Sequence, residues 1–251
     1  MKKASKYRDL ATYGLKKIGR KFIHEYSGIE FIHVKGGVFQ MGFSEAEEIQ
    51  ARNLASELYM TPSEMRPIHQ ENIPDLLVAT HPLSNIIVSK LINHSFESEL
   101  ADFPAFVPFS QAEEIALMIN ARLPFEKEWE YFCRAGSRDL FTFGKEVPDE
   151  HEMEKWLNPN LSDIENSKSN NWGLYHLFNS EWCTDLYKPD YDVNSNVTND
   201  HVIRGGGAYF WPWQDDEWVW CASAMRYPSS DLEEQVSCVR PVIPLGDLKS
   251  N

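Results

Sequence analysis

Residues 122–131 read Arg-Leu-Pro-Phe-Glu-Lys-Glu-Trp-Glu-Tyr, and this decapeptide decides the fold. Pro124 suits the start of a helix, where its missing N–H is one that the first turn leaves unpaired anyway. The helix that follows puts Trp129, Phe132 and Cys133 on one side and ends at Gly136. Three glutamates beside an apolar stripe, with Arg122 just upstream, predict a buried polar network. A buried guanidinium needs a carboxylate, and Glu128 or Glu130 supplies one. The expected role of Arg122, Glu126, Glu128, Trp129 and Glu130 is therefore structural and not catalytic.

Upstream, Ser110-Gln-Ala-Glu113 reads as a capping box. It opens a helix through Asn120 with Ala112, Ile115, Ala116 and Ile119 on one face. Residues 44–60 read as a second helix, with Ser44 as cap and Glu45, Glu47 and Glu48 at its positive end. The stretch from Phe31 to Gly42 holds two short alternating runs flanking Gly36-Gly37, a hairpin pattern. Residues 5–26 space Leu10, Tyr13, Leu15, Ile18 and Phe22 near helical period. They predict a basic helical extension over 1–28, ahead of one domain at 29–247. Residues 157–171, rich in Asn, Ser and Asp, read as a polar loop. The last third, rich in Trp, Tyr and Gly, reads as short strands between long loops.

With 251 residues, 42% hydrophobic and 25% charged, the chain suits one large globular domain. It contains no apolar run of the roughly 18–20 residues that cross a bilayer. The N-terminus lacks the continuous apolar centre of a signal peptide, so the expected location is the cytoplasm. The net charge is −14. Residues 1–35 hold nine Lys/Arg against Asp9, Glu25 and Glu30, so the remainder carries −20. That acidity disfavours nucleic acid and anionic lipid and favours a basic partner, unless it serves solubility alone. Cys133, Cys183, Cys221 and Cys238 form no CxxC pair and read as reduced structural thiols, with a Cys221–Cys238 pairing as the alternative. The eight histidines show no HxxxH pair, and no P-loop, GxSxG or dinucleotide fingerprint occurs.

Six blocks in order resemble the formylglycine-generating-enzyme/sulfatase-modifying-factor family: Phe31 to Gly42, Pro104 to Ala112, Arg122 to Tyr131, Asn171 to Tyr175, Arg204 to Gly206, and Arg226 with Val239-Arg240-Pro241. Together they cover residues 29–245. The resemblance implies an α+β, C-type-lectin-like fold with little regular secondary structure, short twisted sheets and a few helices. It also implies what is missing. Members that generate formylglycine use two copper-binding cysteines five residues apart, which would fall near 213 and 218. Trp213 and Trp218 stand there, and an indole neither grips copper nor forms a disulfide. The family's calcium element survives only as Gly173 to Asp185, one residue short. Asn160, Asp163, Asn179, Glu181 and Asp185 are the remaining oxygen donors. His176, where the family often has Asp, reads as a packing histidine.

These substitutions imply a catalytically inactive protein-binding module without metal or cofactor. Some stand-alone members of the family resemble immunity proteins, so the resemblance implies a basic toxin such as a secretion-system nuclease as partner. Residues 209–220 border the substrate groove in active relatives. The candidate partner-binding residues are Trp211, Trp213, Asp215, Asp216, Glu217 and Trp218, aromatics beside acids that suit a basic surface. At least two of Trp211, Trp213, Trp218 and Trp220 are expected in the core. The competing reading is a divergent oxidase or metal-dependent enzyme working through Cys221. A calcium-dependent lectin is disfavoured by the shortened calcium element.

Overall fold

In the computed structural model, which describes residues 10–54, 61–206, 218–229 and 237–246, three antiparallel sheets are arranged around the decapeptide helix. The largest runs in the order β1 (Leu15–Ile18), β2 (Lys21–His24), β3 (Glu30–Val34), β6 (Leu76–Ala79) and β10 (Val242–Pro244). A second pairs β4 (Gly37–Met41) with β5 (His69–Ile73). The third holds β7 (Glu181–Leu186), β8 (His201–Arg204) and β9 (Arg226–Ser229). Five helices complete the described residues: α1 (Glu45–Leu54), α2 (Asn85–Leu91), α3 (Phe109–Met118), α4 (Glu126–Arg134) and α5 (Glu150–Leu157). This is the expected α+β arrangement, with short sheets and long connecting segments.

The strand β6 shows why the sequence folds around it. All four of its residues, Leu-Leu-Val-Ala, are buried, as a strand covered on both faces requires. Leu77 and Ala79 join the apolar cluster of Phe31, while Leu76 and Val78 join that of Trp129 and Phe132 on α4. The sheet thus separates two cores, and α4 closes the second. The helix α1 starts as its sequence predicts. The Ser44 hydroxyl accepts the Glu47 N–H at 3.1 Å, and the Glu47 carboxylate accepts the Ser44 N–H at 2.8 Å.

Three expectations are corrected. Residues 10–26 form no helix: a 3-10 turn at Leu10–Tyr13 leads into the β1–β2 hairpin. Gly14 and Gly19, at φ +62° and +60°, break the helical period, and Phe22 pairs with Phe31 of β3. Much of the supposed extension is therefore part of the main sheet. The Gly36-Gly37 pair makes no hairpin either, since β3 and β4 enter different sheets. Gly36 lies so close to the β5 end that an added Cβ would sit 2.3 Å from the Ile73 carbonyl oxygen. Its missing side chain serves close backbone approach instead of a turn. Finally, Ser110 caps nothing. Pro108 is the N-cap of α3 and the helix begins at Phe109, with no side-chain cap bond. The left-handed Asn120, φ +53°, lies just past its end.

Candidate functional site

The glutamates of α4 leave the helix in different directions, and each meets a guanidinium. Glu128 takes a two-pronged pair from Arg122, both bonds at 2.7 Å, and accepts the Phe125 N–H at the helix start. Glu126 takes a second fork from Arg226 at 2.6 and 3.0 Å. Glu130 accepts from Arg204, from Arg134 at 2.8 Å and from the Gly42 N–H at 2.9 Å. Arg204 also donates to the carbonyls of Ala224 and Met225. Behind the helix, Arg240 grips Glu181, which also accepts the Trp129 indole N–H at 2.8 Å.

Glu130, Glu181, Arg204 and Arg240 are fully buried. Burial pushes the Glu130 carboxyl up, but Arg134 and Arg204 outweigh it and hold the group at about 2. Burial pushes the Arg226 guanidinium down, and the Glu126 carboxylate more than restores it. These charges tie the Gly42 turn, α4, β7, β8 and β9 together, as the decapeptide predicted. They favour the charged forms of Glu130 and Arg226. Asp185 is the exception in direction: burial, with Glu126 and Glu128 nearby, raises it to about 6 while it accepts the Glu126 N–H at 2.5 Å. A carboxyl raised above its ordinary 3.8 contributes stability in full below about pH 4 and loses it as pH rises through about 6. Asp185→Asn is therefore expected to stabilise the protein by about 1–3 kcal/mol at pH 7.5 and to change little at pH 4, read from urea midpoints at the two pH values.

All four cysteines fall within the described residues, and all are free and buried. The Cys221–Cys238 pairing does not form. Burial pushes Cys133 up to about 11 and Cys221 to about 12, and raises Cys183 and Cys238 well above the ordinary thiol range. His176 is a packing histidine, as expected. It is 1% exposed, its ring contacts the Asn158 carbonyl at 2.7 Å, and burial lowers it to about 4.

The three acidic donors of the shortened calcium element face separate partners. Glu181 faces Arg240, Asp185 faces the start of α4, and Asp163 binds the side chains of Asn158 and Asn166 in its own loop. Among the described residues no group of three His, Cys, Asp or Glu is placed to hold a metal ion.

Of the candidate partner-binding residues, Trp211, Trp213, Asp215, Asp216 and Glu217 lie outside the described residues. Trp218 opens a 3-10 turn, Trp218–Cys221. In that turn Trp220 is buried against Tyr227, with ring centroids 5.7 Å apart.

The sequence reading missed a cavity of about 490 Å³ between residues 94–106, the end of α5 and the Phe178-Asn179 turn. Phe96, Phe103, Phe106 and Phe178 line it. The available signal was the run of phenylalanines at 96, 103 and 106 interleaved with Glu97, Glu99 and Asp102 in a segment with no period. Backbone bonds fix this wall: Asn85 N–H to Phe103, Ile86 N–H to Ala101 and Ala105 N–H to Leu83, each at 2.9 Å.

The family model described as the sulfatase-modifying factor enzyme 1-like domain matches residues 23–236. Among solved structures, the chain is similar to PvdO from Pseudomonas aeruginosa, with a TM-score of 0.66 and 16% identity over 91% of this chain and 99% of that one. It is also similar to variable protein 1 of Treponema denticola, with a TM-score of 0.58 and 14% identity over 92% and 98%. At these identities the likeness is one of fold. No curated protein matches the chain in sequence.

Proposed function

Since the chain belongs to the sulfatase-modifying factor enzyme 1-like domain family, we propose that it is a member that does no thiol chemistry and instead binds and neutralises a basic protein, a nuclease toxin being the fitting class. The observation that carries the non-redox half of this reading is the sealing of every thiol. A cysteine nucleophile or copper ligand must be a thiolate with access to its partner. All four side chains here are at most 6% exposed, and burial raises each thiol. The net charge of −14 supports a basic partner, because complementary charge speeds encounter and rejects anionic surfaces.

Two measurements test the reading. A thiol-reactive disulfide reagent is expected to label fewer than one of the four cysteines in the native protein within minutes, and four in denaturant. Stoichiometric thiolate-bound copper, or oxygen consumption with a cysteine peptide, would sink the non-redox half. For the other half, the protein is expected to bind a basic nuclease of the toxin class with an affinity that falls with salt. The triple change Asp215→Lys, Asp216→Lys and Glu217→Lys should weaken that binding by about tenfold or more. No binding at low salt would overturn the partner class. Binding unaffected by the triple change would move the interface elsewhere.

A further inference from the structure

We infer that the phenylalanine-lined cavity beside α2 is a receptor for an arginine side chain of the protein partner. The inference rests on the reading of the chain as a binder of a basic protein, and it supplies that reading with a place. About 490 Å³ is enough for one long side chain, and aromatic walls with few polar groups are the usual make-up of a binding cavity.

The polar groups decide what kind of side chain fits. The Asn85 amide nitrogen donates to the carbonyls of Leu100 at 2.8 Å and Phe103 at 3.3 Å, so the amide oxygen must face His94, 2.8 Å away. The His94 proton therefore sits on Nε2, and Nδ1 keeps a bare lone pair, an acceptor on a ring that lines the cavity. Burial lowers the pKa of His94, which favours the neutral ring. The remaining charged lining group is the Glu97 carboxylate, and the same segment carries Glu99 and Asp102, all three exposed. Among the described residues no lysine or arginine lines the cavity.

Acceptors, negative charge and aromatic rings together reject an anion and suit a planar cation rich in donors. A guanidinium fits better than an ammonium. It is flat, weakly hydrated and stacks on aromatic faces, whereas an ammonium keeps its water. Phe106, 41% exposed, supplies a ring accessible to an arriving side chain. Because the wall is tied by backbone bonds to Leu83, Asn85 and Ile86, little ordering is left to be done on binding.

The experiment titrates the full chain with N-acetyl-Gly-Arg-Gly-amide, followed by two-dimensional amide NMR, with the citrulline and lysine peptides as controls. Saturable shifts confined to residues 94–106 and 178–179 are expected. The arginine peptide should bind about tenfold or more tightly than citrulline, and more tightly than lysine. Glu97→Gln and Phe106→Ala, both at exposed positions, should each weaken it several-fold while the melting curve stays in place. Equal binding of arginine and citrulline, equal binding of arginine and lysine, shifts elsewhere, or indifference to both substitutions would overturn the inference.

The two readings fail separately. If the nuclease binds wild type and both variants alike and the peptide does not bind, the cavity assignment falls and the function stands. If the peptide binds as expected and the nuclease does not, the cavity assignment stands and the partner class falls.

Discussion

Replacing Glu130 by alanine is expected to lower the stability of the fold by about 3–5 kcal/mol. The carboxylate is fully buried and accepts from two guanidinium groups and the Gly42 N–H at once. Without it, Arg204 falls back on the Ala224 and Met225 carbonyls and on Glu126 at 3.6 Å, and Arg134 on Glu47 at 2.8 Å. Two cations then face one another across the space the carboxylate filled. Domains are commonly stable by about 5–15 kcal/mol, so the variant should remain folded only narrowly. Its urea midpoint should fall with little change in slope. Glu130→Gln, which keeps the shape and one acceptor, should fall less.

The pH dependence carries the same signature. Glu130 sits at about 2 in the fold against an ordinary 4.5. Its contribution is present above about pH 4.5 and is lost as pH falls towards 2. Acid should therefore destabilise the wild type more steeply than the alanine variant. A loss below about 1 kcal/mol in the alanine variant would mean that the network is solvated or readily re-paired.

Gly205→Ala is expected to cost about 3 kcal/mol or more, from two sources. At φ +84° any side chain is strained by about 1–2 kcal/mol. In addition, an added Cβ would lie 2.0 Å from the Asn179 carbonyl oxygen, a backbone atom that can yield only if its turn moves. Gly136→Ala is the control. It has nearly the same φ, +83°, and nothing within 4 Å of an added Cβ, so it should cost only about 1–2 kcal/mol. The difference in urea midpoint between the two variants isolates the close approach. Because Asn179 lines the phenylalanine cavity, Gly205→Ala should also weaken the arginine peptide. Gly136→Ala should leave it unchanged.

Legibility in the sequence mostly tracked how local the deciding interaction was, the Ser110–Glu113 box failing because α3 already starts at Phe109. The start of α1 lies within four residues, and Ser44 caps it as read. The Arg122–Glu128 fork spans six residues and was also readable. The β1–β2 hairpin was misread because Leu10, Tyr13, Leu15, Ile18 and Phe22 fit a helical period. The pairing of Phe22 with Phe31 and the left-handed Gly14 and Gly19 override that period. Gly36 was misread because a turn glycine and a close-approach glycine look the same until the β5 end at Ile73 arrives beside it. The phenylalanine run at 96, 103 and 106 hinted at the cavity, but its lining residues 85, 94, 97 and 179 meet only in the fold. The acids and tryptophans at 211–217 carry the sequence's own proposal for the partner surface, and they lie outside the described residues.

The register of the main sheet has a consequence for biosynthesis. Val78 in β6 waits for Val242 in β10, and Glu181 waits for Arg240. Until residues 240–244 clear the ribosome tunnel, β6 has a bare edge and the buried Glu181 has no counter-ion. Pairings this distant along a chain slow folding. A nascent chain stopped before residue 240 should therefore remain protease-sensitive, and the emergence of residues 240–244 should act as the committing step.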